Sequence, residues 1–422
     1  MRTNYLLKLA VIPVCFFLLW SCSKDGDPDV LPEVEESKSL LSVSLAPNYF
    51  PDDPDVEYSG AVYLTNEEGE VISSGELKNA STTELQEVYD LTTQKLNLSF
   101  VKKIVHPGGT SFRISTYTDV DPYEFSFENP LVKAWLDKAT VQILNTGSRL
   151  EHFIYNYPSY SGNTSENEAT FDIRLRQDPD HLFFTVKKET EDFRRYFLKK
   201  NVSPGAEISV DFQDLPPITR DLTIDLPENN SFSAFIGGAE STAPNNFYAG
   251  IAEVRARDGR SSHTFAIPED LFENYKLRMI LERDQKQYTL DEKTNSIKES
   301  YGFPEWDLQS SSAGTEYSFT STTPADYYKA VFHYVPSDQP YDIVWTVTGR
   351  KTNEMNFSLP ELQEFIAEDI PNFSLEELSL KSGALIRLEG ISNYKDFIMA
   401  QEDNFSSEKE TITKSENLIS KF

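Results

Sequence analysis

The five histidines are the residues best suited to binding a metal ion or transferring protons. They are His106, His152, His181, His263 and His333, and neighbouring ones lie at least 29 positions apart. A zinc site on a single element needs ligands only a few positions apart. The sequence also lacks a G-x-S-x-G nucleophile motif and a G-x-x-x-x-G-K-[ST] phosphate loop. We therefore expect no catalytic residue, metal ion or cofactor, and a hydrolase whose site assembles only in three dimensions is an alternative.

Two acidic clusters have the composition of ion sites. The run from Asp25 to Glu36 has the carboxylate spacing of a calcium loop, but the sixth position, which requires glycine, is Val30. We interpret this run as a solvated tether. A second acidic cluster, at 119–124, could ligate an ion from a loop. The alternative is a solvated turn between strands, because Pro122 alone is enough to cause a turn there.

Two loops contain aromatic residues that do not alternate cleanly and are interrupted by proline. Because the faces of tyrosine and tryptophan fit pyranose rings, these residues are candidates for a sugar-stacking surface. The alternative is that they pack against the edges of a sandwich. The candidate ligand-binding residues are Tyr155, Tyr157 and Tyr160 in the first loop, and Tyr301 and Trp306, with Phe303 between them, in the second.

The N-terminus has the pattern of an export signal. Two basic residues, Arg2 and Lys8, precede an uninterrupted apolar run from Leu9 to Trp20. As a helix this run would span ~18 Å, well short of the ~30 Å hydrocarbon core of a bilayer. A basic start followed by a short apolar stretch is typical of a signal peptide that is removed.

The segment Leu19–Ser23 resembles the lipobox of bacterial lipoproteins, with a leucine three positions before Cys22 and a small residue directly before it. Trp20 departs from the small residue that is usual at its position. The resemblance implies cleavage after residue 21 and a diacylglycerol on the thiol of Cys22, which becomes the N-terminus. An ordinary secretory signal with an incidental Cys22 is the alternative.

Cysteine usage agrees with lipidation, since the only other cysteine, Cys15, lies inside the signal. A single unpaired cysteine in an exported chain needs an explanation, and acylation supplies one. Residues 22–38 are acidic, contain two prolines and have no periodic apolar face, which predicts an extended tether. The Ser-Lys-Asp run at 23–25 resembles the surface-export signal of Bacteroidetes lipoproteins and implies an outer-membrane anchor with the protein facing outward. A spacer facing the periplasm is the alternative.

The charge balance limits the classes of partner. The chain has 39 basic and 68 acidic residues, a net charge of −29 spread along its length. This excess argues against binding to nucleic acid and against peripheral adhesion to anionic membranes. The expected membrane contact is therefore the N-terminal lipid alone.

Apolar and polar residues alternate in short segments bounded by Gly, Pro, Asn or Asp. This period of two predicts an all-β protein of tandem antiparallel, immunoglobulin-like β-sandwich modules with few short helices. Helices are predicted only at 359–368 and, more weakly, near 85–94. The predicted strand segments are 60–65, 110–117, 123–127, 169–175, 206–212, 275–282 and 341–348.

Proline-rich or polar breaks near 129, 228 and 310–324 divide the chain after the signal (1–21) and tether (22–38). The predicted modules are an immunoglobulin-like sandwich at 39–129, a sandwich at 130–228, a β-rich module at 229–322 and a C-terminal sandwich with a short helix at 323–422. A weak internal sequence repeat supports this division into modules: a Gly-Arg pair followed by Phe and Pro occurs at 254–269 and again at 344–361. Three domains with a larger middle one is the alternative.

The segment 60–77 places two strands about an Asn-Glu-Glu-Gly turn. It resembles the N-terminal immunoglobulin-like or carboxypeptidase-regulatory-like domains common in Bacteroidetes envelope proteins. Together with the lipobox and acidic tether, the layout resembles uncharacterised surface lipoproteins of that phylum. This resemblance implies no catalytic residues.

The function predicted from these features is non-catalytic binding of a glycan or protein ligand at the cell envelope, by the modules furthest from the lipid. A structural or adhesive envelope subunit is the alternative from another class, beside the hydrolase already named. A binder should have exposed aromatics, an adhesive subunit an open sheet edge, and a hydrolase a cleft of carboxylates with perturbed pKa values.

Replacing Cys22 with alanine should release the protein from the membrane fraction, because two or more acyl chains are needed for stable anchoring and this change removes their attachment site. Fractionation of cells producing the wild type and Cys22→Ala measures this. Tight membrane association of the variant would show that the anchor lies elsewhere.

Overall fold

The computed structural model describes residues 40–422 except 87–94, 129–135, 156, 158, 240–247, 269, 337–339, 368, 371–372 and 403–410. The predicted signal, Cys22 and tether therefore lie outside the described residues. About 58% of the described chain is strand and about 6% is helix, so the predicted all-β, sandwich-type fold is confirmed. All seven segments predicted from alternation lie in strands, apart from single terminal residues.

The strands fall into four consecutive groups, which we call repeats 1 to 4. Repeat 1 contains β1 to β7, at Leu40–Leu45, Glu57–Thr65, Val71–Leu77, Thr82–Gln86, Asn97–His106, Gly109–Tyr117 and Glu124–Phe127. Repeat 2 contains β8 to β14, at Lys138–Leu144, Leu150–Phe153, Tyr160–Thr164, Glu168–Arg174, Asp180–Lys188, Arg195–Val202 and Glu207–Asp211.

Repeat 3 contains β15 to β20, at Arg220–Asp225, Ser231–Ala239, Ala249–Ala256, Ser262–Ile267, Asn274–Arg283 and Lys286–Thr294. Repeat 4 contains β21 to β27, at Gln309–Ala313, Glu316–Thr320, Tyr327–Tyr334, Tyr341–Arg350, Glu354–Ser358, Ser379–Glu389 and Lys414–Lys421. Repeat 4 also holds the helices α1, Gln363–Ala367, and α2, Tyr394–Glu402. Short 3₁₀ turns occur at Phe212–Asp214 and Leu375–Glu377.

The helix predicted at 359–368 is found only over α1. The backbone N–H groups of Leu359 and Glu361 donate instead to the carbonyls of Thr315 (3.1 Å) and Gly69 (2.9 Å), so tertiary bonds replace the first helical turn. The weaker helix predicted from 85 is wrong at its start, since Leu85 lies in β4, and its continuation lies on residues that are not described. Helix α2 was not predicted.

One pattern of strand pairing recurs in all four repeats. Counting β22 as the first strand of repeat 4, the first strand pairs with the fourth, the second with the fifth and the fifth with the sixth. In repeats 1 and 2 a seventh strand adds to the first in parallel. An immunoglobulin constant domain instead pairs its first strand with its second and its fifth with its fourth. The repeats are therefore sandwiches with a strand order of their own.

The recurring pairing assigns some strands to a different group from the predicted module boundaries. β15 lies before the predicted boundary at 228 but pairs with β18 beyond it. β22 lies before the predicted boundary at 322 but pairs with β25. By its contacts the region Lys38–Phe422 is one compact body.

Three of the repeats share one twelve-stranded sheet, in the order β17-β16-β19-β20-β27-β26-β23-β24-β6-β5-β2-β3. Repeat 3 joins repeat 4 through the antiparallel pair β20–β27, and repeat 4 joins repeat 1 through the parallel pair β24–β6. The sheet is therefore made of the four-stranded halves of three sandwiches, joined edge to edge. It is larger than most strongly twisted open sheets, which rarely exceed about ten strands.

The two faces of the fused sheet carry different cores. In register, Ile114, Trp345 and Phe332 are consecutive neighbours, and all three are buried in the core that repeats 3 and 4 share. On the opposite face Phe100 is buried in the core of repeat 1, which Phe397 of α2 also enters. Repeat 2 has its own core. In the part of the chain that is described, no helix is both long and apolar enough to cross a membrane.

Replacing Trp345 with alanine should lower the free energy of unfolding by about 3–5 kcal/mol, the usual cost of deleting a buried large aromatic. Its indole is fully buried at the junction of repeats 1 and 4, and its Nε1–H donates to Thr116 Oγ1 at 2.9 Å. Denaturant unfolding measures the loss. Val335→Ala, at an exposed position, is the control and should change stability by less than about 0.5 kcal/mol.

Candidate functional site

Repeat 2 packs against the outer strand of the fused sheet. Its strands β9 and β12 contact β17, which is the first strand in the sheet order. The close approach is centred on Gly250 in β17, where an added Cβ would lie 2.5 Å from the Cβ of Tyr155. Only glycine leaves room for that tyrosine at this point of the sheet.

Tyr155 forms an aromatic platform with Phe153 and Phe235. Its ring lies 6.0 Å from that of Phe153, nearly parallel at 12°, and 4.4 Å from that of Phe235 at 41°. Phe153 ends β9 of repeat 2, whereas Phe235 lies in β16 of repeat 3. Tyr155 remains 42% exposed. The platform therefore combines two repeats and presents a tyrosine whose ring is held by its neighbours.

Tyr160 is the other exposed residue among the five candidates, at 45%. It begins β10, an edge strand of repeat 2, and its ring meets the imidazole of His152 edge-on at 5.7 Å. Partial burial lowers the pKa of His152. His152 also contacts Phe171 of the repeat 2 core. Tyr160 thus covers the rim of that core.

Tyr157 is a structural residue. Its hydroxyl accepts a hydrogen bond from the backbone N–H of Phe183 (2.8 Å) and donates to the carbonyl of His181 (3.0 Å). Burial raises the pKa of its phenol to about 12. Because the side chain ties its loop to β12, it is not part of an exposed stacking surface.

The second aromatic loop is packed into the shared core. Trp306 is only 5% exposed, and its indole N–H donates to Ser420 Oγ at 3.1 Å. Tyr301 is half-buried, and burial raises its pKa to about 12. Trp306 lies in the core on one face of the fused sheet, whereas Phe235 and Tyr155 lie on the other. The structure therefore does not bring the two predicted loops together.

The acidic cluster at 119–124 is an inter-repeat contact. Asp121 accepts hydrogen bonds from the hydroxyl of Tyr123 (2.7 Å) and from Arg350 of β24 (2.9 Å). The bond from Tyr123, together with Arg350, lowers the pKa of Asp121. The guanidinium of Arg350 also lies over the ring of Tyr394, 4.7 Å from its centroid. The cluster joins repeat 1 to repeat 4.

An open groove of about 560 Å³ lies between residues 51–58 and 105–107 of repeat 1. Asp52, Asp53, Asp55 and Glu57 line it on one side and His106 on the other. Within the described ranges, no three His, Cys, Asp or Glu side chains are grouped so that they could hold a metal ion. The groove is an acidic surface feature of the repeat predicted to lie nearest the lipid.

Several carboxyl groups have pKa values below the ordinary range, in each case first because of a side-chain hydrogen bond. A general acid requires the opposite shift, as when a carboxyl group is buried in an apolar pocket. For the part of the chain that is described, every clearly shifted carboxyl moves downward, namely Asp121, Asp172, Asp211, Asp258, Glu282, Glu305 and Asp307. These shifts are the signature of ion pairs and polar networks on a folded surface.

Sequence reasoning missed three residues of the platform region: Phe153, Phe235 and Gly250. Phe235 belongs to the alternating segment SFSAFIGG, where it falls between the buried residues Ala234 and Ile236. That out-of-phase aromatic is the signal that marks it as lying on the face away from the core. The contact with Tyr155 depends on how repeats 2 and 3 pack, which alternation does not encode.

The sequence matches no protein-family model, and no curated protein is significantly similar to it.

Replacing Gly250 with alanine should lower the free energy of unfolding by about 1–3 kcal/mol, because the new methyl group forces Tyr155 and β17 apart. Denaturant unfolding measures this. Gly302→Ala is the matched control, since no atom lies within 4 Å of a Cβ added at Gly302. Equal stabilities of the two variants would mean that repeat 2 does not need this close approach.

Proposed function

We propose that this protein is a lipid-anchored envelope protein, held in the outer membrane through Cys22 and facing outward, with a non-catalytic role in binding a glycan or protein ligand. The observation that carries the binding role is the platform of Phe153, Tyr155 and Phe235. An exposed tyrosine packed by two aromatic neighbours is characteristic of recognition surfaces, where aromatic residues dominate the binding energy.

The platform has two physical advantages as a ligand contact. A tyrosine has an apolar ring and a polar hydroxyl, so it can bury area and form a hydrogen bond in the same contact. Its neighbours, at 4.4 Å and 6.0 Å, restrict its rotamers before any ligand arrives. Less side-chain entropy is then lost on binding. The platform lies in repeats 2 and 3, which follow the acidic tether and repeat 1 in the sequence.

The envelope part of the proposal rests on the N-terminal sequence: a basic start, a short apolar run, a lipobox-like Leu19–Ser23 and a single cysteine outside the signal. The net charge of −29 is compatible with attachment by lipid and unfavourable for adhesion to an anionic membrane surface.

A second candidate is the adhesive or structural subunit, favoured by β21. This strand lies at the edge of the sheet β21-β22-β25, and all five of its residues, Gln309–Ala313, are exposed and uncharged. Edges without charge or proline are open to strand addition. Addition there would use backbone hydrogen bonds, so it would be insensitive to substitutions in the platform.

Replacing Tyr155 with alanine should weaken ligand binding by about 1–3 kcal/mol, the range for losing a packed aromatic anchor. The measurement is binding of the unlipidated mature chain to a glycan array and to extracted surface proteins, followed by titration of whichever ligand binds. Tyr160→Ala is matched in residue type, exposure and repeat, and should leave the affinity unchanged. Unaltered affinity in Tyr155→Ala would exclude the platform as the binding site.

A further inference from the structure

The face of the fused sheet beside the platform carries a straight row of residues across four strands. Phe235 of β16 lies opposite Arg278 of β19, Arg278 lies opposite Asp291 of β20, and Asp291 lies opposite Ser415 of β27. Residues opposite one another on adjacent strands point to the same face. With strands about 4.8 Å apart, the row extends roughly 14 Å from the platform.

This row lies on the face away from the core. The residues that alternate with it along the same strands, including Ile236, Leu277 and Leu290, are buried in the shared core. Arg278 is 59% exposed and Asp291 is 32% exposed. A ligand in contact with Tyr155 and Phe235 therefore meets these two side chains if it continues across the strands.

The polar groups of the row form an electrically balanced surface. The guanidinium of Arg278 and the carboxylate of Asp291 approach to 3.8 Å, so their charges largely offset one another. On one side of the row Asn417 adds an uncharged hydrogen-bonding group, and its Nδ2 donates to Ser415 Oγ at 3.4 Å, whereas on the other side Lys276 lies opposite Lys293. The acidic chain as a whole repels polyanions. The residues of the row itself thus have no net charge, and they suit a neutral ligand with many hydroxyl groups.

We propose that a neutral oligosaccharide binds along this row, with one sugar ring stacked at Tyr155 and the following rings hydrogen-bonded by Arg278 and Asp291. This inference rests on the proposed binding function of the platform and names its ligand class. Guanidinium and carboxylate groups are planar and can each bond two neighbouring hydroxyls, so the pair supplies both donors and acceptors. The line of the row sets the direction of the chain, perpendicular to the strands.

The test is affinity gel electrophoresis of the mature chain carrying Cys22→Ala, in gels containing one polysaccharide each. Hydroxyethyl cellulose, xylan and galactomannan are the neutral probes, and polygalacturonate and dextran sulfate are the anionic ones. We expect retardation by at least one neutral probe. Arg278→Ala and Asp291→Asn should each weaken it by about tenfold, the effect of losing a charge-assisted hydrogen bond.

The matched controls are Arg113→Ala and Asp342→Asn. Arg113 and Asp342 also form an arginine–aspartate pair between neighbouring strands, at 2.7 Å and diagonally across the parallel pair β6–β24, far along the fused sheet. They should leave retardation unchanged, and thermal unfolding of all four variants checks that each remains folded.

The outcomes separate this inference from the proposed function. If Tyr155→Ala abolishes retardation while Arg278→Ala and Asp291→Asn do not alter it, the platform binds sugar but the row is not its continuation, and the inference is overturned alone. Binding only to the anionic probes, only to a protein, or to no probe also overturns it. If Tyr155→Ala has no effect on a probe that binds, both proposals fall together.

Discussion

The edges of the β-sheets are the constraint on which the rest of this structure depends. An unpaired edge exposes a row of backbone N–H and C=O groups and invites aggregation. Three of the repeats pair such edges with one another, through β20–β27 and β24–β6. The outer strand β17 is approached by repeat 2 through the space left at Gly250. Edge pairing therefore joins repeats 3, 4 and 1 into one sheet, and repeat 2 packs against its outer strand.

The two junctions also determine where each core lies. Across β24–β6 the core shared by repeats 3 and 4 continues beneath the sheet of repeat 1 through Trp345 and Ile114. In return, Phe397 of α2 enters the core of repeat 1 on the other face. Repeats 1 and 4 thus each cover one face of the other's part of the sheet. Two of the buried polar groups at the junction, the hydroxyl of Thr116 and the indole N–H of Trp345, form a hydrogen bond with each other.

The same fused sheet generates the proposed ligand surface. Because strands in register align side chains across the sheet, Phe235, Arg278 and Asp291 come into line although they lie far apart in sequence. Packing of repeat 2 on β17 adds Tyr155 to one end of that line. The surface therefore depends on two levels of structure: register within the sheet and the contact between repeats 2 and 3. Register alone aligns these three residues within repeat 3, whereas the contact with Tyr155 requires repeat 2 as well.

The sequence by itself determined the local structure, because a period of two reports which residues alternate between a buried and an exposed face. It predicted strands at 110–117 and 341–348 correctly. Its weak internal repeat, at 254–269 and 344–361, falls on the third and fourth strands of repeats 3 and 4, which are β17 and β18 and β24 and β25. It also supports the lipid anchor at Cys22, which remains a prediction. Alternation does not name a strand's partner, however. Only tertiary structure decided that β24 joins β6, that Trp306 is buried while Tyr155 is exposed, and that Phe235 meets Tyr155. Those outcomes depend on contacts between residues distant in sequence. Packing and edge pairing, and not local propensity, determine which arrangement of the strands has the lowest free energy.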